Sequence, residues 1–189
     1  MLELQPLSQV IDEGSLPANV LVMSDRTAQE VADRIKASGL RWALVDGFSR
    51  AGKSRFAAHL AVELGGCAIH LDHFTLPHEQ QIDSSRYVDH MDYGRITKAL
   101  ESDRPVIVEG VCVRDVLRGH RADPAFRIYI ARVSRPVAGR LIWHDGADME
   151  DANYVAPDNN WLVENTMEYH RRERPQSNAN LIILRISRE

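Results

Sequence analysis

Apolar positions along this chain recur in two rhythms, and the two alternate. Val31, Ala32 and Ile35 share one face of a stretch 28–38 that Gly39 ends, which predicts an amphipathic helix. Thr27 and Glu30 have the spacing of a capping box at its start. A short continuous apolar run follows at 41–46, the pattern of a buried strand. Phe56, Leu60 and Leu64 then recur every fourth residue, with Ala57 and Ala61 beside them, and Gly65-Gly66 stops that helix. The same alternation continues. Strands are expected at 68–71, 105–108, 127–131 and 181–184, and helices at 93–102, 113–117, 137–143 and 162–172. Residues 73–92 are polar and rich in His and Asp, so they read as loop with short helical pieces. Residues 1–26 read as an irregular extension around the apolar patch Val20–Met23. The stretch 144–160 is acidic and aperiodic, and reads as a flap or lid. Strands alternating with helices predict an α/β fold, a mostly parallel sheet with helices on both faces.

Length and charge narrow the picture. At 189 residues the chain suits one domain with a substantial core. A formal net charge of −4 offers no broad attraction to nucleic acid or an anionic membrane. Cys67 and Cys112 lack metal-ligand spacing and read as reduced structural residues. No apolar stretch approaches the roughly 18 residues of a membrane span, and no secretory leader pattern opens the chain. The expected compartment is the cytoplasm, and the oligomeric state is left open.

Chemistry enters at residues 47–54, Gly-Phe-Ser-Arg-Ala-Gly-Lys-Ser. This matches the phosphate-binding loop G-x-x-x-x-G-K-[ST] in full, between a predicted strand and a predicted helix, as the motif requires. Gly47 and Gly52 let the backbone turn so that N–H groups aim at a phosphate. Lys53 can reach the outer phosphates, and the Ser54 hydroxyl suits Mg²⁺. The helix start adds its positive end to the same anion site. Asp72 and Glu109 each follow a predicted strand, so both are expected at the carboxyl edge of the sheet near that loop. A carboxylate there can take the proton of an attacking hydroxyl or hold Mg²⁺ through water. Alternatively, Asp72 is a strand-end cap and Glu109 an ion-pair partner for Lys53.

With these pieces placed, residues 27–184 resemble the uridine kinase branch of the P-loop nucleoside and nucleotide kinases. The loop 47–54 carries the resemblance, together with Asp72-His73-Phe74, Val106-Ile107-Val108-Glu109-Gly110 and Ala179-Asn180-Leu181-Ile182-Ile183. Tyr87-Val88-Asp89-His90-Met91-Asp92 is a weaker match near the acceptor. The resemblance implies a three-layer P-loop NTPase fold and an ATP- and Mg²⁺-dependent kinase for a hydroxyl of a small molecule, a nucleoside first. It implies Asp72 as general base, Lys53 and the lid arginine Arg140 as charge neutralisers, and Ser54 and Glu109 at the metal. The donor set would be Gly47, Ser49, Arg50, Ala51, Gly52, Lys53, Ser54 and Arg55. His73, Phe74, Tyr87, His90 and Arg114 would meet the acceptor.

The chain also departs from that family. An arginine-rich lid helix is expected, yet Trp143 and His144 stand where more arginines belong, and Asp145, Asp148, Glu150, Asp151 and Asp158 follow. Arg132 and Arg135 could supply the missing positive charge. Of the eight histidines, His70, His73, His78 and His90 cluster around Asp72 without the spacing of a zinc site. Two rivals to nucleoside phosphorylation are a kinase for another small acceptor (pantothenate, a sugar, an antibiotic, a nucleotide) and a nucleotide-binding regulator without turnover.

Overall fold

The computed structural model describes residues 10–77, 86–120, 124–137, 140–143, 150 and 161–187. In chain order the strands are β1 (Val10–Asp12), β2 (Val20–Val22), β3 (Trp42–Asp46), β4 (Cys67–His70), β5 (Val106–Glu109), β6 (Ala125–Val137), β7 (Arg140–Trp143) and β8 (Leu181–Ile186). The helices are α1 (Thr27–Ser38), α2 (Lys53–Leu64), α3 (Tyr93–Leu100), α4 (Val113–Val116) and α5 (Trp161–Glu173).

Six strands run parallel in the order β2-β8-β6-β3-β5-β4, with β3 central. Side chains alternate between the faces, as the pleat demands. Ala43 and Val45 of β3, Ile107 of β5, and Ile128 and Ile130 of β6 pack with Val31 and Ile35 of α1 and with Phe56 and Leu60 of α2. Leu44, Val106 and Val108 point the other way, to Ile96 of α3, Val113 and Val116 of α4, and Tyr169 of α5. Helices therefore cover both faces of one sheet, in three layers. Leu60, fully buried, is typical of the core. Truncating such a leucine to alanine costs about 2–5 kcal/mol.

Several expectations change. The segment 1–26 is not irregular throughout, because β2 extends the parallel sheet beside β8 and β1 pairs with β7. Three-residue strands carry no period of their own, so only their partners reveal them. The expected helix at 137–143 is a strand. β6 runs on past the sheet and β7 returns antiparallel along it. Val133 pairs with Ile186 on one side and Trp143 on the other, so β7 takes the edge of β6 that β3 leaves after Asp46. A short apolar run is ambiguous between helix and strand, and an open sheet edge decides it here. Leu71 leaves its strand and opens a 3₁₀ turn, Leu71–Phe74. The capping box does not form. Thr27 is the first helical residue, and its hydroxyl accepts from Ser24 N at 2.8 Å. The expected flap at 144–160 lies outside the described residues except for Glu150. That carboxylate accepts from Gln176 N (2.7 Å) and Ser177 N (3.2 Å), anchoring the turn after α5. No helix among the described residues is long and apolar enough to cross a membrane.

Candidate active site

The loop begins where β3 ends. Gly47 has φ 140°, and a Cβ there would sit 2.3 Å from the Ile130 carbonyl oxygen of β6, so only glycine fits. Its N–H donates to Asp46 Oδ1 at 2.8 Å. Gly52 caps α2 in the left-handed region and offers no side-chain acceptor. The first-turn N–H groups of α2 thus keep their free valence for a ligand anion. Arg50 also sits left-handed, at φ 62°. For a non-glycine residue this costs about 1–3 kcal/mol. Ser49, Arg50, Ser54 and Arg55 are exposed, and Ala51 is buried. Lys53 is buried, and its Nζ donates to the carbonyls of Gly47 (2.9 Å) and Phe48 (2.8 Å). Burial pushes its ammonium down, against the pull of Asp46, Glu109 and Asp72.

The carboxyl edge of the sheet brings the next groups in. Glu109 ends β5 and His70 ends β4, and they are register partners. Glu109 is buried, and its Oε1 accepts from Ser54 Oγ at 2.9 Å. His70 Nδ1 lies 2.8 Å from the same oxygen. Glu109 therefore faces Ser54 and His70, and it forms no ion pair with Lys53 among the described residues. Asp72, in the turn beyond β4, is exposed, and its Oδ1 accepts from the Tyr87 hydroxyl at 3.1 Å. Burial, then the Asp72 charge, push the Tyr87 phenol upward, so it acts as a neutral donor. Tyr87 N is itself held by Asn165 Oδ1 of α5 at 3.0 Å.

The remaining expected residues are placed less uniformly. The His73 ring lies 5.3 Å from that of His70. Phe74 packs under the guanidinium of Arg95 at 5.2 Å. His90 is buried with its ring 5.6 Å from Trp161. Arg114 turns to Glu173 at the end of α5, reaching its carbonyl at 3.1 Å and its carboxylate at 3.2 Å. Arg140 falls in β7 opposite Val137, and its side chain, like that of Arg135, lies outside the described part. A cleft of about 590 Å³ opens beside Tyr87, Tyr93, Cys112 and Asn165. Of the five residues expected at the acceptor, Tyr87 lines it. Burial raises the Cys112 thiol and keeps it protonated.

Beneath the loop lies a buried polar network that the sequence reading missed. The Tyr169 hydroxyl donates to Asp46 Oδ2 and accepts from Arg114 N at 3.4 Å. His170 Nδ1 meets the Thr166 carbonyl at 2.7 Å, which makes it the protonated nitrogen. Nε2 then accepts from the Tyr129 hydroxyl at 3.1 Å. Burial lowers the His170 pKa and raises that of Asp46. Asp46 was visible in sequence as the residue before Gly47. His70 stood out in sequence as one of four histidines around Asp72, but its contact with Glu109 comes from the register of β4 and β5. Tyr169 gave no signal, because its partner lies across the fold.

No protein-family profile and no curated protein sequence matches the chain. Among solved structures it is similar to a possible uridine kinase from Bacillus stearothermophilus, at TM-score 0.52 and 15% identity, over 85% of this chain and 100% of that one. The fold is that of a P-loop NTPase. The likeness agrees with what the chain itself presents: a central parallel strand running into the 47–54 loop, with helices on both faces of the sheet.

Proposed function

We propose that the protein is an ATP- and Mg²⁺-dependent kinase that transfers the γ-phosphoryl group to a hydroxyl of a small molecule, with a uridine-like nucleoside as the leading acceptor. The observation that carries this reading is the Ser54–Glu109 hydrogen bond with Asp72 one strand away, all grouped around Lys53. The printed description of the structural neighbour as a possible uridine kinase supports it. Ser54 Oγ and Glu109 Oε1 are hard oxygen donors side by side and would hold Mg²⁺, which would supply positive charge against the donor phosphates. The loop N–H groups bind and orient the donor. Lys53 adds charge where it builds up on the transferring group. Asp72 accepts the acceptor's hydroxyl proton, and Tyr87 holds that carboxylate in place. Catalysis on this reading is positioning plus charge neutralisation. Other acceptors (pantothenate, a sugar, an antibiotic, a nucleotide) use the same machinery. The proposed partners include neither nucleic acid nor membrane, and the proposed compartment is the cytoplasm.

A second reading, a nucleotide-binding regulator without turnover, is favoured by one feature. Lys53 is turned back onto its own loop carbonyls. ADP release from ATP and Mg²⁺, measured over nucleosides, pantothenate, sugars and nucleoside monophosphates with Asp72→Ala as control, separates the two. Acceptor-dependent release that the variant abolishes supports the kinase. ATP binding with no release above the variant's background for any acceptor supports the regulator.

A further inference from the structure

The cleft of about 590 Å³ beside Tyr87 is charged on both sides. Arg86, Arg118 and Arg172 line it, and so do Asp89, Asp115 and Glu168. Each of these guanidiniums meets a carboxylate. Arg86 lies 3.7 Å from Asp89, and Arg172 lies 3.9 Å from Glu168. Asp115 is the centre of the set. It sits in α4 with its side chain only 16% exposed. Its Oδ1 accepts from Arg118 Nη2 at 3.0 Å, and its Oδ2 accepts from Arg172 Nη2. Glu173 backs the same two arginines, at 2.8 Å from Arg118 and 3.3 Å from Arg172. Guanidinium is a natural partner for phosphate, because its planar N–H donors match two oxygens at once. Here two guanidiniums at the cleft are already held, each by one oxygen of the same fixed carboxylate. A phosphorylated ligand has to displace Asp115 from them, and its own charge meets Asp89 and Glu168 as well. An uncharged ligand faces neither cost. Selectivity of this kind comes from the repulsive element rather than from a new attraction.

We propose that Asp115 is a specificity-determining residue: by holding Arg118 and Arg172 it keeps phosphorylated compounds out of the cleft and reserves the cleft for an uncharged hydroxyl compound. The assignment rests on reading this cleft as the acceptor's site, which the Tyr87 hydroxyl links to Asp72. It narrows that reading, removing nucleotides from the acceptors and keeping nucleosides and sugars.

Calorimetric titration of the full chain at saturating Mg–ADP tests this, with uridine, UMP and inorganic phosphate as probes. Asp115→Asn keeps the shape of the side chain and removes its charge. Asp115→Asn combined with Arg172→Gln then removes a guanidinium that the first change frees. Circular dichroism checks their folding. Wild type should bind uridine at least about tenfold more tightly than UMP. Asp115→Asn should gain about tenfold in affinity for UMP and for phosphate, and the gain should weaken with added salt and vanish in the double variant. If the ion pairs serve only to dock α4 against α5, Asp115→Asn lowers stability and leaves the preference for uridine over UMP unchanged, and that result overturns the proposal. UMP binding to wild type as tightly as uridine overturns it too, even if no variant folds. If wild type binds neither uridine nor UMP, the acceptor reading loses its support, and phosphate decides the role of Asp115 separately. A phosphate affinity gained in Asp115→Asn and lost in the double variant then supports that role, and no gain overturns it.

Discussion

Replacing Tyr169 with Phe removes one oxygen from the centre of the molecule and tests whether the network under the loop supports it. The lost hydroxyl donates to the buried Asp46 carboxyl and accepts the longer bond from Arg114 N. Asp46 keeps its contact to Gly47 N at 2.8 Å but loses its second donor, in a buried site. A buried acceptor left without its partner costs about 1–3 kcal/mol. For a chain of this size, at about 2–4 °C per kcal/mol, that is a fall in Tm of about 2–12 °C. Urea unfolding of Tyr169→Phe, Asp46→Asn and the double variant should give a coupling energy of about 1–2 kcal/mol between the two sites. ADP affinity should drop as well, because Asp46 holds the first amide of the loop. Additive single effects, or a Tyr169→Phe variant within about 0.5 kcal/mol of wild type, would refute the argument.

Asp72→Asn should reduce turnover by about 10²–10⁴ while ADP affinity holds, and retained turnover would remove Asp72 from the base role. Gly47→Ala places a methyl 2.3 Å from a backbone oxygen, at φ 140°. It should cost about 3 kcal/mol or more and abolish nucleotide binding, as read by unfolding and calorimetry. His170 is held below its ordinary value of 6.5, so as pH falls through 6.5 the unfolded chain takes a proton that the folded one refuses, and stability falls. Asp46, raised above 3.8, acts oppositely: just above 3.8 the folded chain keeps a proton that the unfolded one has lost, so stability falls as pH rises. His170→Gln removes the first effect only. Its Tm between about pH 5 and 6.5 should therefore rise less steeply with pH than that of wild type, and an unchanged slope would contradict this account.

Much of the site was legible because its parts are local. The phosphate loop is one short segment whose glycines and lysine are dictated by a turn and an anion. The helix after it shows its period over Phe56, Leu60 and Leu64. Continuous apolar runs marked β3, β5 and β8, and residues at strand ends could be assigned to the carboxyl edge without coordinates. Other features had no local cause. β7 is a strand because β6 continues past β3 and leaves an edge open, and Val10–Asp12 and Val20–Val22 are strands because Ile142 and Ile182 wait for them. The burial of Glu109 between Ser54 and His70, the Tyr169 support under Asp46, and the meeting of Arg132 and Arg185 with Arg50 of the loop and Arg55 of α2 all join residues far apart in the chain. By itself, then, the sequence determined the phosphate loop, the helix and strand rhythm and the α/β class, because backbone sterics and apolar periodicity act between near neighbours. Only the tertiary structure decided which carboxylate meets which hydroxyl and where the arginines gather, because those contacts depend on strand order and register.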